Sequence, residues 1–123
     1  MRAMHTLRDL WNLLKPLLEA AMKSKPAEGS HTDPKKIAGE ALQKFTPVMA
    51  ELEKIYKLKA QVDEQLRKAA EKGMNILTPA WKATQNDDFS SDKQSAKDLN
   101  DKLGLMINDL KELKSYGTQV QWV

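Results

Sequence analysis

The chain has 123 residues and a formal net charge of +3, with 41% hydrophobic, 30% charged and only 6% aromatic residues. That length fits a single domain spanning 1–123, and a charge-rich, aromatic-poor balance suits a helical protein whose core is built from Leu, Ala, Met, Ile and Val. There is no cysteine, which excludes disulfides, zinc–thiolate sites, thiol nucleophiles and cysteine-ligated iron–sulfur clusters.

The first predicted helix covers 6–24. On a wheel of 100° per residue, Leu7, Leu10, Trp11, Leu13, Leu14, Leu17, Leu18, Ala20, Ala21 and Met22 fall on one side. Arg8, Asp9, Asn12, Lys15, Glu19 and Lys23 fall on the other, so the segment is amphipathic with an unusually wide apolar arc. Pro16 sits on its polar side, where it removes one hydrogen bond and kinks or divides the helix. Charges interrupt the apolar run, unlike the core of a secretory signal, and no stretch approaches the roughly 18 apolar residues of a membrane span. A cytoplasmic location is the default expectation, with export that needs no cleaved signal left open.

A hinge follows over 25–33. Pro26 and Gly29 break the helix, and Thr32-Asp33-Pro34 restarts one, with Asp33 or Thr32 as N-cap and proline at the first helical position. His31, beside Glu28 and Asp33, is one of only two histidines, with His5. Neither has a partner at the three- or four-residue spacing of helical metal ligands, so this segment reads as a hinge rather than a cation site.

A long helix is predicted over 34–72. Its seam at 38, 41, 45, 48, 52, 55, 62, 66 and 69 alternates steps of three and four, with one gap at Lys59. Gly73 reads as its C′ residue. As one rod it is about 55 Å long at 1.5 Å per residue, with a kink at Pro47. The segment 73–90 is predicted as a loop with a short helix started by Thr78-Pro79, whose Ile76, Leu77, Trp81 and Phe89 cap one end of a bundle. The last helix covers 91–116, opened by a Ser91–Gln94 capping box. Its seam runs through Ala96, Leu99, Leu103, Met106, Leu110 and Leu113, Ile107 widens it, and Leu105 points away. A tail over 117–123 carries Val120 and Trp122.

The fold class that follows is all-α: an antiparallel helical hairpin or three-helix bundle with coiled-coil-like seams. Carboxylates lie on polar faces beside lysines, and no phosphate loop, nucleophile elbow or HExxH motif is present, so no enzyme activity, cofactor, metal or small-molecule substrate is inferred. Ser90-Ser91 reads as capping rather than as a nucleophile. The function expected is a non-catalytic protein–protein interaction module: an adaptor, chaperone, inhibitor or assembly subunit. Its partner is another protein or a second copy, held by Leu7, Leu10, Trp11, Leu14, Leu17, Leu18, Leu105 and Trp122. Two alternatives stand beside it. One is a structural or secretion-apparatus filament subunit that self-assembles through its helices. The other is a binder of membrane surfaces or nucleic acid through the first helix and lysine-rich faces such as Lys54, Lys57 and Lys59.

Overall fold

A computed structural model describes residues 2–26, 29, 31–57, 63–86 and 89–116. They form four helices: α1 (Arg2–Lys23), α2 (Pro34–Lys57), α3 (Asp63–Thr84) and α4 (Lys93–Tyr116). No strand occurs among the described residues.

Each helix packs on two neighbours, α1 on α2 and α4, and α3 on α2 and α4. Every pair runs antiparallel. Arg8, near the start of α1, lies 3.4 Å from Glu53, near the end of α2, while Met22 at the other end of α1 reaches Gly39. Phe45 of α2 meets Gly73 of α3. Glu71 of α3 meets Lys114 of α4 at 3.7 Å, and at the opposite end Asn100 of α4 donates to the carbonyl of Trp81 at 2.9 Å. Leu17 and Ala21 of α1 share a small cavity with Ala96 and Leu99 of α4. The result is an up-down-up-down helical bundle with a ring of four helices around one core.

The predicted rod over 34–72 is therefore two helices. Antiparallel packing of α2 on α3 requires the chain to reverse between Lys57 and Asp63. No proline or glycine marks that reversal. The missing step in the seam at Lys59 was its only trace, and Lys59 and Val62 lie outside the described residues. The hairpin or three-helix arrangement gives way to four helices for the same reason.

Gly73 does not end a helix. It lies mid-way along α3, buried, because a Cβ there would stand 2.9 Å from Phe45 Cε1 and 3.2 Å from Leu110 Cδ1. A glycine in a helix interior costs about 1 kcal/mol relative to alanine. Here the close approach of α2 and α4 over a bare backbone offsets it. The separate short helix at Thr78-Pro79 is likewise absorbed into α3. Its stripe of Leu66, Ala69, Ala70, Gly73, Leu77, Ala80 and Thr84 is buried throughout, and that burial outweighs the local stop signals.

Prolines inside helices are tolerated by placement. Pro16, Pro47 and Pro79 all lie on exposed faces, where the carbonyl that loses its N–H partner can be solvated. The threonines before two of them bond back one turn. Thr46 Oγ1 donates to Leu42 O and Thr78 Oγ1 to Met74 O, both at 2.6 Å, which satisfies a backbone acceptor close to each defect.

Helix starts follow capping rules. Asp33 Oδ1 accepts from Lys36 N–H at 3.2 Å, with Pro34 as first helical residue. In α4 the cap is Asp92, one residue later than the predicted Ser91. Its Oδ1 accepts from Ser95 N–H at 3.1 Å and its Oδ2 from Ser95 Oγ at 2.7 Å. Ser90, buried, accepts from Asp92 N–H through its hydroxyl at 3.1 Å, a local turn contact. The two loops at this end are tied by Ser91 N–H donating to Lys25 O at 2.9 Å. Gly29 takes φ +79°, the left-handed conformation that glycine adopts without a Cβ penalty.

Candidate functional site

The wide apolar arc of α1 divides into two parts. Leu7, Trp11, Leu14 and Leu18 point inward and are buried, with the Trp11 ring 4.8 Å from that of Phe45 at 51°. These four anchors serve the chain's own core. Leu10 and Leu17 are half-buried against it. Leu13 stands out at 53% exposure, and on α4 the residue predicted to point away, Leu105, is 47% exposed. These are the exposed large hydrophobics among the described residues. Trp122 lies outside the described residues.

Leu13 and Leu105 face the same way. On α4, Asn100, Gly104 and Lys114 turn toward α3. The opposite flank of the α4 seam, carrying Lys102 and Asp109, therefore turns toward α1, and Leu105 projects beside those two residues. On α1, Arg8, Trp11 and Met22 turn toward α2, so Leu10, Leu13, Leu17 and Ala20 lie on the α4 side. The register of Leu17 and Ala21 against Leu99 and Ala96 then puts Leu13 within about one helical turn of Leu105 along the bundle axis. An apolar ridge runs along the outside of the α1/α4 junction.

The rim of this ridge is acidic. Asp98, Asp101, Asp109 and Glu112 of α4 share Leu105's side of the helix with Lys102, and Asp101 is paired with Lys97 at 4.0 Å. Lys93, Lys97, Lys111 and Lys114 lie on the flank nearer α3. Asp109 Oδ2 is buried with no hydrogen-bond partner among the described residues. Burial, with a smaller contribution from the Glu112 charge, pushes the Asp109 carboxyl above the usual carboxylate range.

Across the bundle, between α2 and α3, lies a groove of about 620 Å³. Its apolar floor is Ile37, Ala41, Ile76, Pro79 and Ala80, with Glu40 and Lys44 of α2 and Glu71 and Lys72 of α3 at its edges. Lys68 also borders it and pairs with Glu64 at 3.4 Å. Lys44 and Lys72 make no ion pair with a described residue. Sequence reasoning missed this groove because it treated α2 and α3 as one rod, so the two faces that form it had no reason to meet.

The remaining candidates do not assemble. His31 is exposed in the loop before α2, and the side chain of His5 lies outside the described residues. No group of three potential metal ligands converges among the described residues. Lys54 is exposed on α2, and Lys57 and Lys59, the rest of that cluster, have no described side chain. No described helix is long and apolar enough to cross a membrane.

The described residues form an antiparallel helical bundle, cysteine-free, with an apolar flank at the α1/α4 junction and a groove of mixed charge between α2 and α3. Comparison with models of protein families, with curated proteins and with solved structures gave no match.

Proposed function

We propose that this protein is a non-catalytic interaction module whose working surface is the α1/α4 ridge. The observation that carries the reading is the exposure of Leu13 and Leu105, about half each, at positions that helix geometry turns toward the outside of the same α1/α4 junction. A contiguous apolar patch with a polar rim is the usual signature of a surface that another chain covers. The anchors thus shift from the buried face of α1 to its outer edge: Leu13 and Leu105 at the centre, Leu10 and Leu17 beneath. Docking proceeds by burial of these leucines in a complementary apolar surface, with the surrounding carboxylates setting orientation.

The test replaces both exposed leucines, Leu13→Ser and Leu105→Ser. Far-ultraviolet dichroism and Tm are expected to stay near the parent values, while the association made by the parent protein, with itself or with a protein captured from its native cell, is lost. Unchanged association in that variant would overturn the reading.

A further inference from the structure

We propose that the ridge of one copy seats in the α2/α3 groove of another, so that the chain assembles head to tail. This deepens the reading above and rests on it: the ridge is the interaction surface, and the occupant of the groove is a second copy of the same chain.

Three observations carry it. The first is complementarity of form. The ridge is apolar at its centre, with Leu13 and Leu105 projecting about half exposed. The groove is concave, with a floor of Ile37, Ala41, Ile76 and Ala80. The second is complementarity of charge. Asp98, Asp109 and Glu112 share Leu105's side of α4 with Lys102, and Asp101 there is paired with Lys97. The groove is lined by Lys44, Lys68 and Lys72 against Glu40 and Glu71; Lys68 pairs with Glu64 and Glu71 with Lys114, so Lys44 and Lys72 stand against Glu40 as the charges there without an ion pair to a described residue. The third is position. The helices pack in the ring α1–α2–α3–α4, so the α1/α4 junction and the α2/α3 junction lie on opposite sides of the bundle. An interface between unlike, opposed surfaces is heterologous. It leaves one free ridge and one free groove on every assembly, and it propagates unless the rotation between copies closes a ring.

Two other outcomes compete for these surfaces and are decided by the same experiment. Two ridges can meet face to face in a closed dimer, although that brings the acidic rims together and leaves Lys44 and Lys72 unused. A foreign protein can occupy the ridge alone.

The experiment measures the mass of the full chain by sedimentation and light scattering across concentration, at low and high salt, for four samples. The parent is expected to grow beyond dimer with concentration, and to fall back toward the 13.9 kDa monomer as salt screens the carboxylate–lysine pairs. A ridge variant, Leu13→Ser with Leu105→Ser, is expected to be monomeric. A groove variant, Lys44→Glu with Lys72→Glu, is also expected to be monomeric. An equimolar mixture of the two variants forms dimers and nothing larger, because only one live ridge and one live groove remain per pair.

A parent that stops at dimer and is broken by the ridge variant but not by the groove variant overturns the head-to-tail arrangement while leaving the ridge as the interaction surface. A parent that stays monomeric at every concentration overturns self-assembly. If in that case the ridge variant still loses a captured foreign partner, the interaction reading survives without it. If the ridge variant behaves like the parent in every assay, both fall. Dichroism on each variant confirms that all four samples share the same helicity.

Discussion

Two carboxylates on α4 act on stability with opposite signs. Asp92 caps the helix, and the Ser95 hydroxyl bonded to it, followed by the Ser95 N–H, holds its carboxyl below the usual range. A depressed folded value contributes stability above the unfolded pKa, and that contribution is lost as pH falls through the folded value. Asp109 is the reverse. Its raised value means the ionised form is held less well in the folded than in the unfolded chain. The penalty is full above the folded pKa and vanishes below the unfolded one, about 4. Asp109→Asn is therefore expected to raise Tm at neutral pH, and the advantage should disappear in thermal melts run below about pH 4. Asp92→Ala should lower Tm at neutral pH and change it little once the carboxylate is protonated. A third residue-scale case is Gly73. Alanine there gains helix propensity but drives a methyl into Phe45 Cε1, 2.9 Å away. Overpacking of this kind costs about 1–3 kcal/mol, so urea titration of Gly73→Ala should show a lowered midpoint despite the better helix former.

Among the elements, α1 shows how one periodic stripe can serve two purposes. Adjacent leucines at 13 and 14 differ by 100° on the wheel, and the structure buries Leu14 completely while leaving Leu13 at 53% exposure. Leu14→Ala should cost about 2–5 kcal/mol in chemical denaturation, and Leu13→Ala no more than about 0.5 kcal/mol. Equal losses would mean that Leu13 is part of the core. The periodicity of α1 and α4 was legible directly: the α4 seam from Ala96 to Leu113 is buried as spaced, and Leu105 is exposed as expected. The wheel alone could not say how far around α1 the burial extends. Ten apolar positions on one side of a helix look alike until the neighbours that cover them are known. In α3, the stop signals at Gly73 and Thr78-Pro79 were read literally, because residue type reports local preference and not what packs overhead.

For the molecule as a whole, the ring of contacts joins the α1/α2 pair to the α3/α4 pair on both sides. Phe45 illustrates the coupling, since its ring touches Trp11 of α1 and closes over Gly73 of α3. The Thr84, Asn100 and Trp81 bonds lock the far end of α3 onto α4. Unfolding followed by dichroism and by tryptophan fluorescence should give coincident curves, as expected for a single domain of this size. Separate transitions, with the Trp11 and Trp81 environments lost at different denaturant concentrations, would show that the α1/α2 and α3/α4 pairs unfold independently.

The sequence by itself determined that the chain is helical, where α1, α2 and α4 begin or end to within a few residues, and which side of each turns inward. Those features follow from the spacing of apolar residues and from capping atoms within a turn of the backbone they bond. Only the tertiary structure decided that the middle of the chain folds back on itself. It also decided that Gly73 is a contact rather than a terminator, and that a ridge and a groove lie on opposite sides. Those outcomes depend on which stripe covers which, and that choice is made between residues far apart in the chain, where local spacing carries no information.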